Sequence, residues 1–182
     1  MNKFIFRSLA VALVVALASV AMAQTINLGV NLELSGRFAT IGTTSLQGIE
    51  AAVALSGADV NLSVCDNAST AEGSVACANR FVDEGVLAVV GPISTTHAIP
   101  AAEVLQQAGV IMISTASTNP ATTQIGDHIF RMSYTDDFQG RVAARYAVND
   151  LGAQSAIIFR QQDDDYSFGL ANFFDEEFQT LG

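Results

Sequence analysis

Two unbroken apolar runs, at residues 86–90 and 110–113, limit what this chain can fold into more than anything else in it. Each follows a helical pattern that stops at a glycine (Gly85, Gly109), and each opens into small or hydroxyl-bearing residues. A strand with one face in water alternates apolar and polar side chains, whereas a strand apolar on both faces has to be covered on both. Helices carrying the chain from one such strand to the next supply that cover, and the product is a parallel sheet of βαβ units.

The rest of the chain keeps the rhythm. Strand patterns fall at residues 26–30, 60–64 and 128–132, with helical patterns between them. Thr44-x-x-Gln47 and Ser69-x-x-Glu72 read as capping boxes that start two of the helices. The helix after residue 96 accepts Pro100 in its first turns. From Asp136 a second series begins. Asp136-x-x-Gln139 starts a helix ending at Gly152, and residues 155–159 read as a strand. Ser167 is placed to cap a last helix presenting Leu170, Phe173, Phe174 and Phe178. The fold class is therefore α/β: a Rossmann-like parallel-sheet lobe over residues 24–135, then the start of a second, similar lobe over residues 136–182. Two helices and one strand close no core by themselves, so the second lobe is expected to be incomplete and the chain to be the N-terminal part of a longer protein.

In open parallel sheets, ligands bind beyond the carboxyl ends of the strands. Two hydroxyl-rich loops fall there. One is Gly91-Pro92-Ile93-Ser94-Thr95-Thr96 and the other spans residues 114–120. The first runs into a helix, whose unpaired N–H groups and dipole favour a carboxylate or another small anion. If the two strands are neighbours, both loops line one cleft.

Residues 1–23 have the form of a cleaved signal peptide: Lys3 and Arg7, an apolar stretch over residues 9–20, then Ala21-Met22-Ala23. No cysteine follows that site to carry a lipid, which implies a soluble, exported product. Setting the segment aside removes two positive charges, taking the net charge from −10 to −12 and leaving no lysine at all. A nucleic-acid surface needs clustered Lys and Arg, so that class of partner is excluded.

Sharper chemistries fail on spacing. Gly91-Pro-Ile-Ser-Thr95 lacks the Gly-x-Ser-x-Gly of a nucleophile elbow, and His97 would share a helix start with Ser94, which is poor triad geometry. His97 is read instead as an exposed first-turn residue, and His128 as structural. Asp163-Asp-Asp165 has neither the spaced acids nor the glycine of an EF-hand, so it reads as a solvated loop and no metal is expected. Gly36 and Gly42 lack the spacing of a dinucleotide loop, and no cofactor is expected. Export permits a Cys65–Cys77 bridge, although two small buried apolar residues is the simpler reading.

Leu34-Ser-Gly36, Gly42 and Gly48, residues 78–85, Val89-Val-Gly-Pro92, Pro100-Ala101, Met112-Ile-Ser114, Phe130-Arg131 and Gln139-Gly140, in this order and spacing, resemble the periplasmic branched-chain amino-acid binding proteins of ABC transporters. The resemblance covers the chain from Ile26 onward. It implies a two-lobed protein that closes on a small ligand, an amino acid or a related amide or carboxylate, making and breaking no bond. It further implies a periplasmic location and delivery to an ABC permease; an exported sensory module of the same fold is the alternative. Matched position by position, the family's hydroxyl contact falls on Thr95 beside Ser94, the carbonyl that meets the ligand ammonium on Ala116, a second hydroxyl on Thr118, and a lid tyrosine on Tyr166. Two departures are visible. Ile41 stands where leucine-type members have a tyrosine, and the acid that pairs with the ammonium would fall beyond Gly182.

Overall fold

The computed structural model describes residues 25–182; the segment read as a signal peptide lies outside them. Five strands form one all-parallel sheet: β1 (Ile26–Leu32), β2 (Val60–Asp66), β3 (Ala88–Val90), β4 (Ile111–Ser114) and β5 (Ile129–Arg131), in the order β2-β1-β3-β4-β5. The helices between them are α1 (Ala39–Ser56), α2 (Ala71–Glu84), α3 (Thr95–Ala108) and the short α4 (Ala121–Gln124). The chain winds outward from β1 to β2, then returns to lay β3 on the other side of β1. That reversal puts a crevice at the carboxyl ends of β1 and β3, where open α/β sheets take their ligands.

The main core joins the inner faces of α2 and α3 to β3 and β4, with Phe81, Ala98, Ala101, Leu105, Val89 and Met112 all fully buried. The small residues Ala98, Ala101 and Ala102 let α3 lie close to the sheet. A second cluster, Val30, Leu32 and Ile93 with Leu46 and Ile49, seats α1 on the opposite face. Beyond β5, α5 (Asp136–Arg145) continues into a π-helical turn (Tyr146–Asp150), and α6 (Asp165–Leu181) packs on α5. A Cβ on Gly140 would lie 2.7 Å from Phe173 Cβ, so glycine there sets how near the two helices approach.

Several expectations need correction. The first long helix begins at Ala39, not at Thr44, because a 3-10 turn at Gly36–Phe38 feeds straight into it. Thr44 lies inside, its hydroxyl donating back to the Thr40 carbonyl at 2.9 Å. Thr70 caps α2 in place of Ser69, accepting from Gly73 N, and Thr135 rather than Asp136 is the N-cap residue of α5, its side chain making no capping bond. Asp164, not Ser167, caps α6, accepting from Ser167 N at 3.0 Å. Residues 155–159 form no strand, since no neighbouring strand among the described residues offers them a ladder; Ile157 and Phe159 are 83% and 93% exposed. Cys65 and Cys77 are joined in a disulfide, their Cα atoms 5.8 Å apart. The end of β2 and the second turn of α2 come within bridging distance, so the simpler reading was the wrong one.

Candidate ligand-binding site

The loops after β1, β3 and β4 meet above the sheet, and the 161–167 segment comes over them. A cavity of about 480 Å³ lies between. Ser94, Thr95, Ala116, Thr118 and Tyr166, all five residues singled out from the sequence, line it. Phe38, Ile93, Tyr134 and Asp164 complete most of the wall, and Arg37 and Gln161 bond to one another at 2.7 Å.

Each hydroxyl has a distinct position. Ser94 is the N-cap residue of α3, yet its side chain makes no capping bond, so the oxygen remains free. Thr95 is 1% exposed, and its Oγ1 accepts from Ser117 Oγ at 3.1 Å. Ser117 Oγ also pairs with Thr122 Oγ1 at 2.7 Å. If Ser117 donates to Thr95, then Thr122 donates to Ser117, and the Thr95 proton is left pointing away from the chain of hydroxyls. A buried series of this kind polarises in one sense. Thr96 faces the other way, taking Asp165 N at 3.0 Å and lying 3.5 Å from Asp164 Oδ1. The acidic 163–165 loop therefore touches the helix start.

The second loop is held from beneath. Arg131 donates to the carbonyls of Ser117, Asn119 and Pro120 at 3.3, 2.7 and 3.1 Å, and also to the Thr123 hydroxyl. Ser114 Oγ reaches across to the Pro92 carbonyl at 2.7 Å and accepts from Ser117 N, tying the two loops together. Behind Thr118 lies Asp136, fully buried, with neither carboxylate oxygen meeting a donor in good geometry. Burial pushes its pKa up; the Thr118 hydroxyl and Arg131 pull back only in part, while Asp137 and Asp164 push it further up.

Two positions that hold the loop at the start of α3 escaped the sequence reading. Glu33 is fully buried and accepts from Ser94 N at 3.1 Å, Ile93 N at 3.2 Å and His97 Nδ1 at 2.7 Å. His97, expected to be exposed, is 5% exposed, with its ring edge-on to Phe38 at 5.9 Å. The correction has a plain cause: the first turn of α3 faces the end of β1, where a carboxylate waits. The interruption of an apolar strand end by Glu33 was the available signal. The N–H groups of Ile93 and Ser94 are thus spent on Glu33, leaving those of Thr95 and Thr96 without a partner among the described residues.

Residues 25–178 match the periplasmic binding protein family. The chain belongs to that family. Among curated relatives, an amino acid binding protein of Pseudomonas aeruginosa is 34% identical over 194 residues, covering 100% of this chain and 52% of the relative. Leu/Ile/Val-binding protein homolog 1 of Brucella abortus is 30% identical, covering 100% of this chain and 51% of its own length. Of solved structures, the leucine binding protein LivK of Thermotoga maritima superposes with a TM-score of 0.83 at 32% identity, over 87% of this chain and 47% of that one. LivJ of Streptococcus pneumoniae, in complex with isoleucine, gives 0.77 at 28% identity over 86% and 47%. The chain spans about half the length of the curated relatives it matches. The five-stranded parallel sheet with its β1/β3 crevice is the lobe architecture of this periplasmic binding protein family.

Proposed function

We propose that this periplasmic binding protein captures a small amino acid, branched-chain-like, or a related amide or carboxylate, by closure of two lobes divided near residue 135, and delivers it to an ABC permease after export to the periplasm. The ligand carboxylate accepts from the Thr95 hydroxyl, from the N–H groups of Thr95 and Thr96 and from Ser94; such bonds to an ionised group are the strong kind. Thr118 adds a donor and the Ala116 carbonyl accepts from the ammonium. Tyr166, with an apolar body and a polar tip, covers the ligand from the 136–182 segment.

The observation that carries this reading is the convergence of those five residues on one cavity at the start of α3. The names of the relatives, amino acid and Leu/Ile/Val-binding proteins, support the ligand class. Isothermal titration of the chain against a panel of amino acids, their amides and small carboxylates tests it. At least one should bind, and Thr95→Ala should weaken that binding by about tenfold or more, the loss of a charge-assisted bond. Undiminished binding by Thr95→Ala refutes the site; no binding across the panel refutes the ligand class.

A further inference from the structure

A second carboxylate already lies behind the place proposed for the ligand's own. Glu33 is fully buried outside either hydrophobic cluster, and both of its oxygens accept: Oε1 from Ser94 N and His97 Nδ1, Oε2 from Ile93 N. Two of those donors are amides that open the anion-binding end of α3. A ligand carboxylate on the next amide, Thr95 N, would sit one peptide unit beyond the Ser94 N–H that Glu33 holds, roughly 6 Å from its oxygens. At that separation and an effective dielectric near 20, like charges cost up to about a hundredfold in affinity.

The surrounding groups offset little of this. Asp164 lies on the cavity wall, Asp136 behind Thr118, and Asp66 accepts from Leu34 N and Ser35 N beside Glu33. Against them stand Arg37 on the wall, turned to Gln161, and Arg131 beneath the second loop, spent on backbone carbonyls. His97 is the basic side chain that touches Glu33, its Nδ1 lying 2.7 Å from Oε1.

We infer that Glu33, held by His97, is a specificity-determining residue: it admits a carboxylate that brings its own cation, as an α-amino acid does, and disfavours acids of the same shape that lack the ammonium. The inference rests on the proposal that Thr95 receives the ligand carboxylate. An amino acid carries its ammonium within reach of the Ala116 carbonyl and of the field of Glu33 and Asp164, so its net charge is zero where a simple acid's is −1. A purely structural Glu33 would affect both ligands alike.

The test is titration calorimetry of the chain with leucine and with 4-methylpentanoate, its counterpart without the amino group. The parent should bind leucine at least tenfold more tightly, and Glu33→Gln, which keeps hydrogen-bonding capacity but not charge, should shrink that ratio by about tenfold. Equal binding of the two by the parent overturns the inference while leaving the carboxylate site intact. An unchanged ratio in Glu33→Gln, with both affinities falling together, also overturns it. Should Glu33→Gln not fold, the double variant Glu33→Gln/His97→Asn sets two complementary neutral side chains in the same place and is read the same way: a ratio shrunk by about tenfold supports the inference and an unchanged ratio overturns it. Absence of binding by both ligands is the separate failure of the amino-acid reading.

Discussion

Replacing Arg131 with methionine should loosen the second ligand loop more than any other single change outside the core. The guanidinium is half-buried on β5 and grips the 117–123 segment at four points, the carbonyls of Ser117, Asn119 and Pro120 and the Thr123 hydroxyl. Hydrogen bonds from a charged donor are worth about 1.5–3 kcal/mol each, but solvent reaches these carbonyls once the side chain is gone. A net loss of about 2–4 kcal/mol is expected, since four bonds disappear and water replaces part of them. The loss is compounded electrostatically, because Arg131 is the cation that partly offsets the buried carboxyl of Asp136. Arg131→Lys should recover less than half, as an ammonium supplies one point of contact where the planar fork reaches several. Urea denaturation followed by circular dichroism measures both variants, and at about 2–4 °C per kcal/mol a chain of this size should lose roughly 5–15 °C in Tm with methionine. A double-mutant cycle with Asp136→Asn should be non-additive, the arginine counting for less when no buried carboxylate faces it. If Arg131→Met is within about 0.5 kcal/mol of the parent, the range of an ordinary surface change, the loop is held by something else.

The Asp136 carboxyl, raised by burial, binds its proton more tightly in the folded chain than in the unfolded one. Stability should therefore fall as pH rises from the ordinary Asp range near about 4 through the elevated folded value and level off above it; Asp136→Asn should flatten that segment and gain about 1 kcal/mol at pH 7, and a parent profile rising there would contradict the assignment. Ser117→Ala removes the hydroxyl that orients Thr95 and should weaken ligand binding about fivefold, equivalent to about 1 kcal/mol, with calorimetric affinity within twofold of the parent counting against an orienting role. Reducing the Cys65–Cys77 bridge, which closes a loop 12 residues long, should cost about 2–3 kcal/mol in urea melts, and an unchanged midpoint would show that it contributes nothing. Gly42→Ala would set a Cβ 1.9 Å from the Glu33 carbonyl oxygen. Backbone has to move to relieve it, so a loss of about 3 kcal/mol in thermal unfolding is expected, and a neutral result would mean that α1 does not press on the end of β1.

Strands apolar on both faces made the parallel sheet legible, because βαβ packing is the arrangement that buries both sides of such runs. Helix starts were less so. Thr44 and Ser69 satisfy a capping pattern that the tighter geometry around Gly36 and Ala39 pre-empts, and a local motif loses when a neighbouring turn fixes the entry point first. Residues 155–159 show the same limit at the level of the sheet: their β-propensity is genuine, but a strand exists only against a partner. At the site, Ser94, Thr95 and Thr118 could be read because hydroxyls at strand ends are informative by position. Glu33 and His97 could not be paired, since 64 residues separate them and no periodicity couples the end of β1 to the first turn of α3.

The same residues that form the cavity also bind its parts together, and this bears on how a ligand is held. Thr95 faces the cavity and also receives Ser117; Thr96, next to it, receives the backbone of Asp165 from the far side. Asn119, at the end of the second loop, donates to the Asp165 carbonyl at 3.0 Å. The 161–165 segment is thus fastened to both ligand loops at one residue, with Arg37–Gln161 as a third tie. A group inserted between Thr95 and Tyr166 touches each of the parts that these bonds connect. Its free energy of binding therefore adds to the ties wherever it fits their spacing, and strains them where it does not. Selectivity in such a cavity follows from that coupling together with the carboxylates around it, Asp164 on the wall and the buried Glu33 behind the amides of Ile93 and Ser94.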